Sequence, residues 1–275
     1  MVAKNLPQFV ALGKGSMQID YFCAMSSINR LLTIMDELRE QCPWDREQTW
    51  DSIRHLSIEE VYELSDAIME KDADEVKKEL GDVLLHIVFY AKIASETQLF
   101  NFDDVVDSIC EKLIRRHPHI YSDVQAEDSE TVKKNWEQIK LAEGKGEKTL
   151  LQGLPKSMPS IVKAYRMQEK VAQVGFDWDD MKDVRAKVME ELAEFENAGT
   201  QEEKMDEFGD LLFALVNYAR HQGINPDDAL EMTNRKFKRR FEYIEQTAKN
   251  NDWVLSEMGL EKMDKYWEEA KKVLS

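Results

Sequence analysis

Glu190, Glu191 and Glu194 stand three and four residues apart, and Glu207 and Asp210 stand three apart. On helices those spacings put each set on one face. Packed antiparallel, two such helices bring four carboxylates, Glu191, Glu194, Glu207 and Asp210, to one spot inside a bundle. Like charges that close repel and call for hard cations, and an all-oxygen donor set suits Mg²⁺ or Mn²⁺ rather than zinc. A single match carries little, because Asp and Glu make up 54 of 275 residues and an acidic run is ordinarily a solvated helix face. Here the pattern occurs twice in register. Glu59-Glu60-Val61-Tyr62-Glu63 returns as Glu190-Glu191-Leu192-Ala193-Glu194, and Glu79-Leu80-Gly81-Asp82 returns as Glu207-Phe208-Gly209-Asp210. The N-terminal set is therefore Glu60, Glu63, Glu79 and Asp82. Each Asp enters a strongly apolar segment behind a Gly, a residue that costs a helix interior about 1 kcal/mol. Gly81 and Gly209 are thus expected where another helix or a ligand comes close.

Lys236, Arg239 and Arg240 follow at i, i+3 and i+4, giving one cationic face on an otherwise acidic chain. Carboxylates that hold a metal beside such a face make a polyphosphate site. Lys187 lies one helical turn before Glu190, and Lys204 one turn before Glu207. The matching N-terminal positions are Leu56 and Val76, although Lys77 and Lys78 adjoin the second. This asymmetry predicts that the C-terminal half carries most turnover. Trp44, Trp50, Trp178 and Trp253 are expected as packing residues, and His86 and His221 as helix-packing or partly exposed. No histidine sits three residues after a Glu, as a di-iron bundle would require, and neither HExxH nor a P-loop is present. No polar cluster that reads a base stands out, which predicts broad base tolerance.

The elements needed to position these residues read as helices. Ile28, Leu31, Leu32, Met35 and Leu38 keep helical spacing up to Pro43. A second helix is expected from an N-cap near Ser57, a third over about 74–96 and a fourth over about 102–116. The order recurs about 130 residues later, too long a period for a solenoid and the mark of a duplicated domain. The expected organisation is all-α: an extension over residues 1–24, a helical-bundle domain over 25–140, a linker over 141–159, and a catalytic domain over 160–275. Six prolines and 11 glycines favour long helices, and a net charge of -17 argues against nucleic-acid or anionic-membrane partners. Three dispersed cysteines offer no disulfide framework, and no apolar stretch reaches membrane-spanning length, so a reducing cytoplasm is the expected location.

With these features in place, the sequence resembles the MazG family of nucleoside triphosphate pyrophosphohydrolases in its two-domain bacterial form. The resemblance rests on the EExxE and ExxD motifs and on Arg30-Leu31-Leu32-Thr33-Ile34-Met35, Cys42-Pro43-Trp44-Asp45, Arg115-Arg116-His117-Pro118-His119 and Val174-Gly175-Phe176-Asp177-Trp178. It covers the chain from about Ser27 to the C-terminal helix. It implies two tandem bundle domains, a homodimer, and Mg²⁺-dependent hydrolysis of NTPs and dNTPs to the monophosphate and pyrophosphate by activated water attacking the α-phosphorus. It further implies Glu191, Glu194, Glu207 and Asp210 as metal ligands, with Lys187, Glu190 and Lys204 around the phosphates. Lys236, Phe237, Arg239, Arg240 and Trp267 would complete the nucleotide site. Glu190 is the candidate to orient or deprotonate the water, an assignment the sequence leaves open among the glutamates. The rival reading is a non-catalytic acidic helical scaffold whose carboxylates only bind cations.

Overall fold

A computed structural model describes residues 26–122, 128, 132, 136, 139 and 149–274. The extension over residues 1–24 and most of the segment 123–148 lie outside the described residues. Among those described, every regular element is a helix, and the chain divides into two compact units, residues 1–125 and 126–275. The linker proposed over 141–159 ends in turns from residue 149 onward.

Unit 1 contains α1 (Ser27–Gln41), α2 (Pro43–Glu47), α3 (Trp50–Glu70), α4 (Ala73–Glu96), α5 (Phe102–Arg116) and α6 (Pro118–Tyr121). Unit 2 contains α7 (Ser160–Ala172), α8 (Met181–Asn197), α9 (Gln201–His221), α10 (Pro226–Asn250), a 3₁₀ turn (Leu255–Glu257) and α11 (Gly259–Val273). Side-chain caps set where the helices begin. Thr49 and Ser52 form a reciprocal capping box at the head of α3, and Thr200 and Glu203 do the same for α9; each satisfies donors that a helix terminus leaves unpaired. Asp72 caps α4 and Asp180 caps α8.

The capping box corrects one sequence expectation. The helix carrying Glu60 and Glu63 starts at Trp50, not near Ser57, because Thr49 supplies the stronger start signal. Ser57 sits inside α3, and its hydroxyl donates to the Ile53 carbonyl at 3.2 Å.

Between α3 and α4 the chain turns at Lys71, in the left-handed conformation (φ 57°), followed by the Asp72 cap. So short a connection makes α3 and α4 antiparallel neighbours. Ala198, Gly199 and Thr200 link α8 to α9 in the same way. Each hairpin packs against the preceding helix. In unit 1, Met35 of α1, Ile53 of α3, and Val88 and Phe89 of α4 form the dry core, flanked by Leu31, Leu32, Leu56 and Leu85. Removing a side chain of this size from water contributes roughly 1.5–3 kcal/mol. In unit 2, Val184, Leu211, Ala214 and Val216 are buried, but so are the polar Gln168 and Asn217. A second cluster, Ile244, Ala248 and Met258 with Trp253 and Trp267 against it, ties α10 to α11.

Candidate active site

The EExxE segment lies on α8 and the ExxD segment on α9, so the α8–α9 hairpin alone brings the acids together. Carboxylate oxygens of Glu191, Glu207 and Asp210 fall within 4.8 Å of one another, as do those of Glu190, Glu191 and Glu194. Glu191 belongs to both groups and is 5% exposed. Glu194 is solvent-facing. Its pKa is raised by loss of hydration and by the charges of Glu191, Glu207 and Glu190. The cluster thus repels its own charge, a repulsion that a bound cation relieves.

Lys187 meets this cluster directly, with Nζ 2.7 Å from Glu190 and 2.6 Å from Glu191. Those hydrogen bonds raise its pKa and keep it cationic. Lys204 is exposed in the first turns of α9. The remaining predicted residues gather elsewhere in the unit. Phe237 packs on Trp267 with ring centroids 5.0 Å apart, and the Arg240 guanidinium lies 5.7 Å from the Trp267 ring centre. Lys236 and Arg239 are exposed on the same helix, α10.

Beside Glu191 and Asp210 opens a cavity of about 400 Å³. Lys187 also lines it, whereas Lys236, Phe237, Arg239, Arg240 and Trp267 do not. Its other walls come from residues to which sequence reasoning assigned no part in binding: Gln168, Phe176, Trp178, Phe213, Asn217 and Arg220. Two polar amides stand among them, where no polar base-reading group was expected. Pattern reading missed them because Gln168 and Asn217 lie singly on different helices and share a wall only after packing.

The loop between α7 and α8 carries Phe176 and Trp178. Gly175 supplies the left-handed turn there (φ 85°), a conformation that penalises any side chain. Asp177 anchors the loop to the end of α9 by accepting hydrogen bonds from Arg220 at 2.5 Å and from His221 at 2.9 Å. Burial works against the Asp177 carboxylate, but the hydrogen bonds and charges of Arg220 and His221 prevail and lower its pKa. The Gly175-Phe176-Asp177-Trp178 phrase was the available signal for this wall. Trp178 was expected as a packing residue; it is 43% exposed and lines the cavity, Trp44 is also exposed, and Trp50, though partly exposed, stacks on Phe100 with ring centroids 5.9 Å apart. Trp253 does pack, against the Ile244 cluster.

The N-terminal counterpart is similar in its acids and different in its surroundings. Oxygens of Glu60, Glu63 and Glu79 lie within 4.8 Å of one another. The pKa of Glu60 is raised by burial and by neighbouring Asp82, Glu63 and Glu79, and that of Glu63 chiefly by Glu79. Glu79 is 3% exposed, and its Oε2 has no partner. Contrary to expectation, this set does have a cation: Lys78 Nζ lies 2.9 Å from Glu79. The larger differences sit on α4. His86 stands at the place of Ala214 and Phe89 at that of Asn217. His86 fills space with Ser57 (3.0 Å) and Tyr90 behind it, and burial lowers its pKa. Phe89 belongs to the dry core. At Gly81 and Gly209, of the two expected reasons, the close approach of another helix is not found among the described residues, since a Cβ at either would meet nothing within 4 Å. Both are exposed.

Comparison with known proteins bears on this arrangement. The family model of the MazG nucleotide pyrophosphohydrolase domain matches residues 48–121, and that of phosphoribosyl-ATP pyrophosphohydrolase matches residues 165–237. The two matches fall on the two acidic hairpins. A nucleoside triphosphate pyrophosphohydrolase of Escherichia coli (strain K12) is 42% identical over 258 residues, covering 90% of this chain and 98% of the relative. The nucleoside triphosphate pyrophosphohydrolase/pyrophosphatase MazG of Thermotoga maritima is 45% identical over 244 residues, 88% of this chain and 94% of its own length. A Bacillus subtilis protein, YabN, is 49% identical over 246 residues, which make up 50% of that longer protein. With a doubled acidic hairpin and relatives matched along nearly their whole length, the chain belongs to the MazG family of nucleoside triphosphate pyrophosphohydrolases.

Proposed function

We propose that the C-terminal unit hydrolyses NTPs and dNTPs to the monophosphate and pyrophosphate with Mg²⁺, as nucleotide-pool housekeeping in the cytoplasm. The observation that carries this reading is the Glu191–Glu207–Asp210 cluster, two of whose members, Glu191 and Asp210, line a cavity large enough for a nucleoside. The donor set fits the ion: only carboxylate oxygens converge, and Glu194 is already held above its ordinary pKa by loss of hydration and by its neighbours' charges. Glu191, Glu194, Glu207 and Asp210 would hold Mg²⁺, with Mn²⁺ as a substitute. When bound, such an ion neutralises phosphate charge and acidifies water.

The protein's own groups have separable tasks. Water adds to the α-phosphorus in line, the bond to the bridging oxygen of the β-phosphate breaks, and pyrophosphate departs. Glu190, held by Lys187 on the exposed side of the cluster, would take the water's proton. Lys187 reaches both acids and would offset the charge that builds on the leaving group. Lys204 adds charge from α9. The test is product analysis: NMP and pyrophosphate are expected from each NTP, and chromatography showing NDP and orthophosphate would exclude attack at the α-phosphorus. A non-catalytic scaffold would give neither pair of products.

We further propose a homodimer, which would bring the Lys236–Arg240 face and Trp267 of one copy into play at the other. The support is the outer surface of α8 and α9, where Met189, Met205, Phe208, Leu212 and Leu215 are 44–72% exposed. Large exposed apolar surface of this kind is uncommon on a monomer, and a second copy of this chain would cover it. Light scattering at micromolar concentration should give twice the chain mass; a monomer throughout would sink the assignment.

A further inference from the structure

We propose that Gln168 reads the substrate's base, its Oε1 accepting a hydrogen bond from an N–H on the base edge. This rests on the cavity being the nucleoside pocket of the reaction above. Gln168 lies on α7, is 4% exposed, and lines the cavity that Glu191 and Asp210 also line. Its Nε2 donates to the backbone carbonyl of Phe213 at 2.8 Å. A carbonyl can only accept, so the amide group must face Phe213 with its NH₂, and the orientation of the side chain is fixed. The oxygen is left on the other side of the planar group, buried and without a partner. Buried acceptors are nearly always satisfied. One held in place by the opposite end of its own amide is prepared for a donor that arrives with a ligand.

A second amide is locked in the complementary sense. Asn217 is 5% exposed, and its Oδ1 accepts from Arg220 Nε at 3.0 Å and Nη2 at 2.7 Å. The Asn217 NH₂ therefore remains to donate. Both amides line the cavity together with apolar and aromatic residues, Val171, Phe176, Trp178 and Phe213 among them; in the proposal Gln168 Oε1 is the acceptor and the Asn217 NH₂ the donor. A nucleobase has this distribution, with apolar faces and donors and acceptors confined to its edge. A ribose carries hydroxyls on several sides and would set some of them against apolar walls. Unit 1 has Phe89 in the place of Asn217 and so lacks the pair.

The experiment compares kcat/KM for ATP and for purine ribonucleoside triphosphate, which lacks the 6-amino group, on wild type and on Gln168→Met. 2′-Deoxy-ATP and 3′-deoxy-ATP are run alongside to separate base donors from sugar donors. Wild type should favour ATP over the purine analogue by about 10- to 100-fold, the range for a buried polar group left unpaired. In Gln168→Met that preference should fall to within about threefold, with the two deoxy ratios unmoved. Equal use of ATP and the analogue by wild type overturns the proposal, as does a preference that survives in the variant. A loss confined to a deoxy sugar overturns the base assignment. Should Gln168→Met fail to fold, the wild-type comparison decides alone. If wild type releases no pyrophosphate from any triphosphate, the reaction assigned above has failed. Equilibrium binding of AMP against purine ribonucleoside monophosphate then tests Gln168 separately, with about tenfold weaker binding of the analogue expected and equal binding overturning it.

Discussion

Glu191→Ala and Asp210→Ala should each lower pyrophosphate release at least ~10²-fold, the largest single-residue effects expected in this chain. Glu191 is the hinge of the acidic arrangement. It is the buried acid, it shares one oxygen cluster with Glu190 and Glu194 and another with Glu207 and Asp210, and it binds Lys187. Its loss removes a donor from both clusters and frees one partner of Lys187. Lys187 retains Glu190 at 2.7 Å, so α8 keeps an ion pair on that face. Asp210 is exposed on α9, and removing it leaves no buried charge unpaired. The variants should therefore fold, with unchanged helical circular dichroism, and fail in turnover. Near wild-type rates in either would remove the site assignment.

Paired substitutions in the two units should give opposite results. Glu191→Ala/Glu194→Ala is expected to abolish activity, whereas Glu60→Ala/Glu63→Ala should leave the rate within about threefold of wild type. The acids alone do not separate the units, since both sets converge and both have a lysine in contact. The separation comes from what stands beside them. In unit 2, Ala214 and Asn217 leave a cavity wall next to Asp210. In unit 1 the same helical positions carry His86, bonded to Ser57, and Phe89, packed into the core. A nucleoside that fits beside Asp210 meets an imidazole beside Asp82. Activity lost in the first-unit pair and retained in the second would reverse the assignment.

Much of this site is local along the chain. Glu191 and Glu194 share a face because of helical spacing, Glu207 and Asp210 likewise, and three residues between α8 and α9 force the two faces to meet. A periodicity of 3.6, a cap and a short turn are sequence-local properties, so the helices, the duplication and the convergence of the acids could be read before any packing was known. The start of α3 escaped only because Thr49 and Ser52 cap it reciprocally, while Ser57 resembles a cap in isolation.

The cavity depends on contacts distant in sequence. Gln168 meets Phe213 across 45 residues, and Asp177 meets Arg220 across 43. No local pattern encodes such pairings, because the energy that fixes a buried amide belongs to its partner and its exclusion from water. For the same reason the tryptophans read as packing residues in the sequence, yet Trp178 lines the cavity. Sequence by itself determined the fold class, the repeat and the acids. Tertiary structure alone decided that a cavity opens beside Glu191 and Asp210, and which polar groups line it, because both depend on the volume left when side chains from separate helices pack.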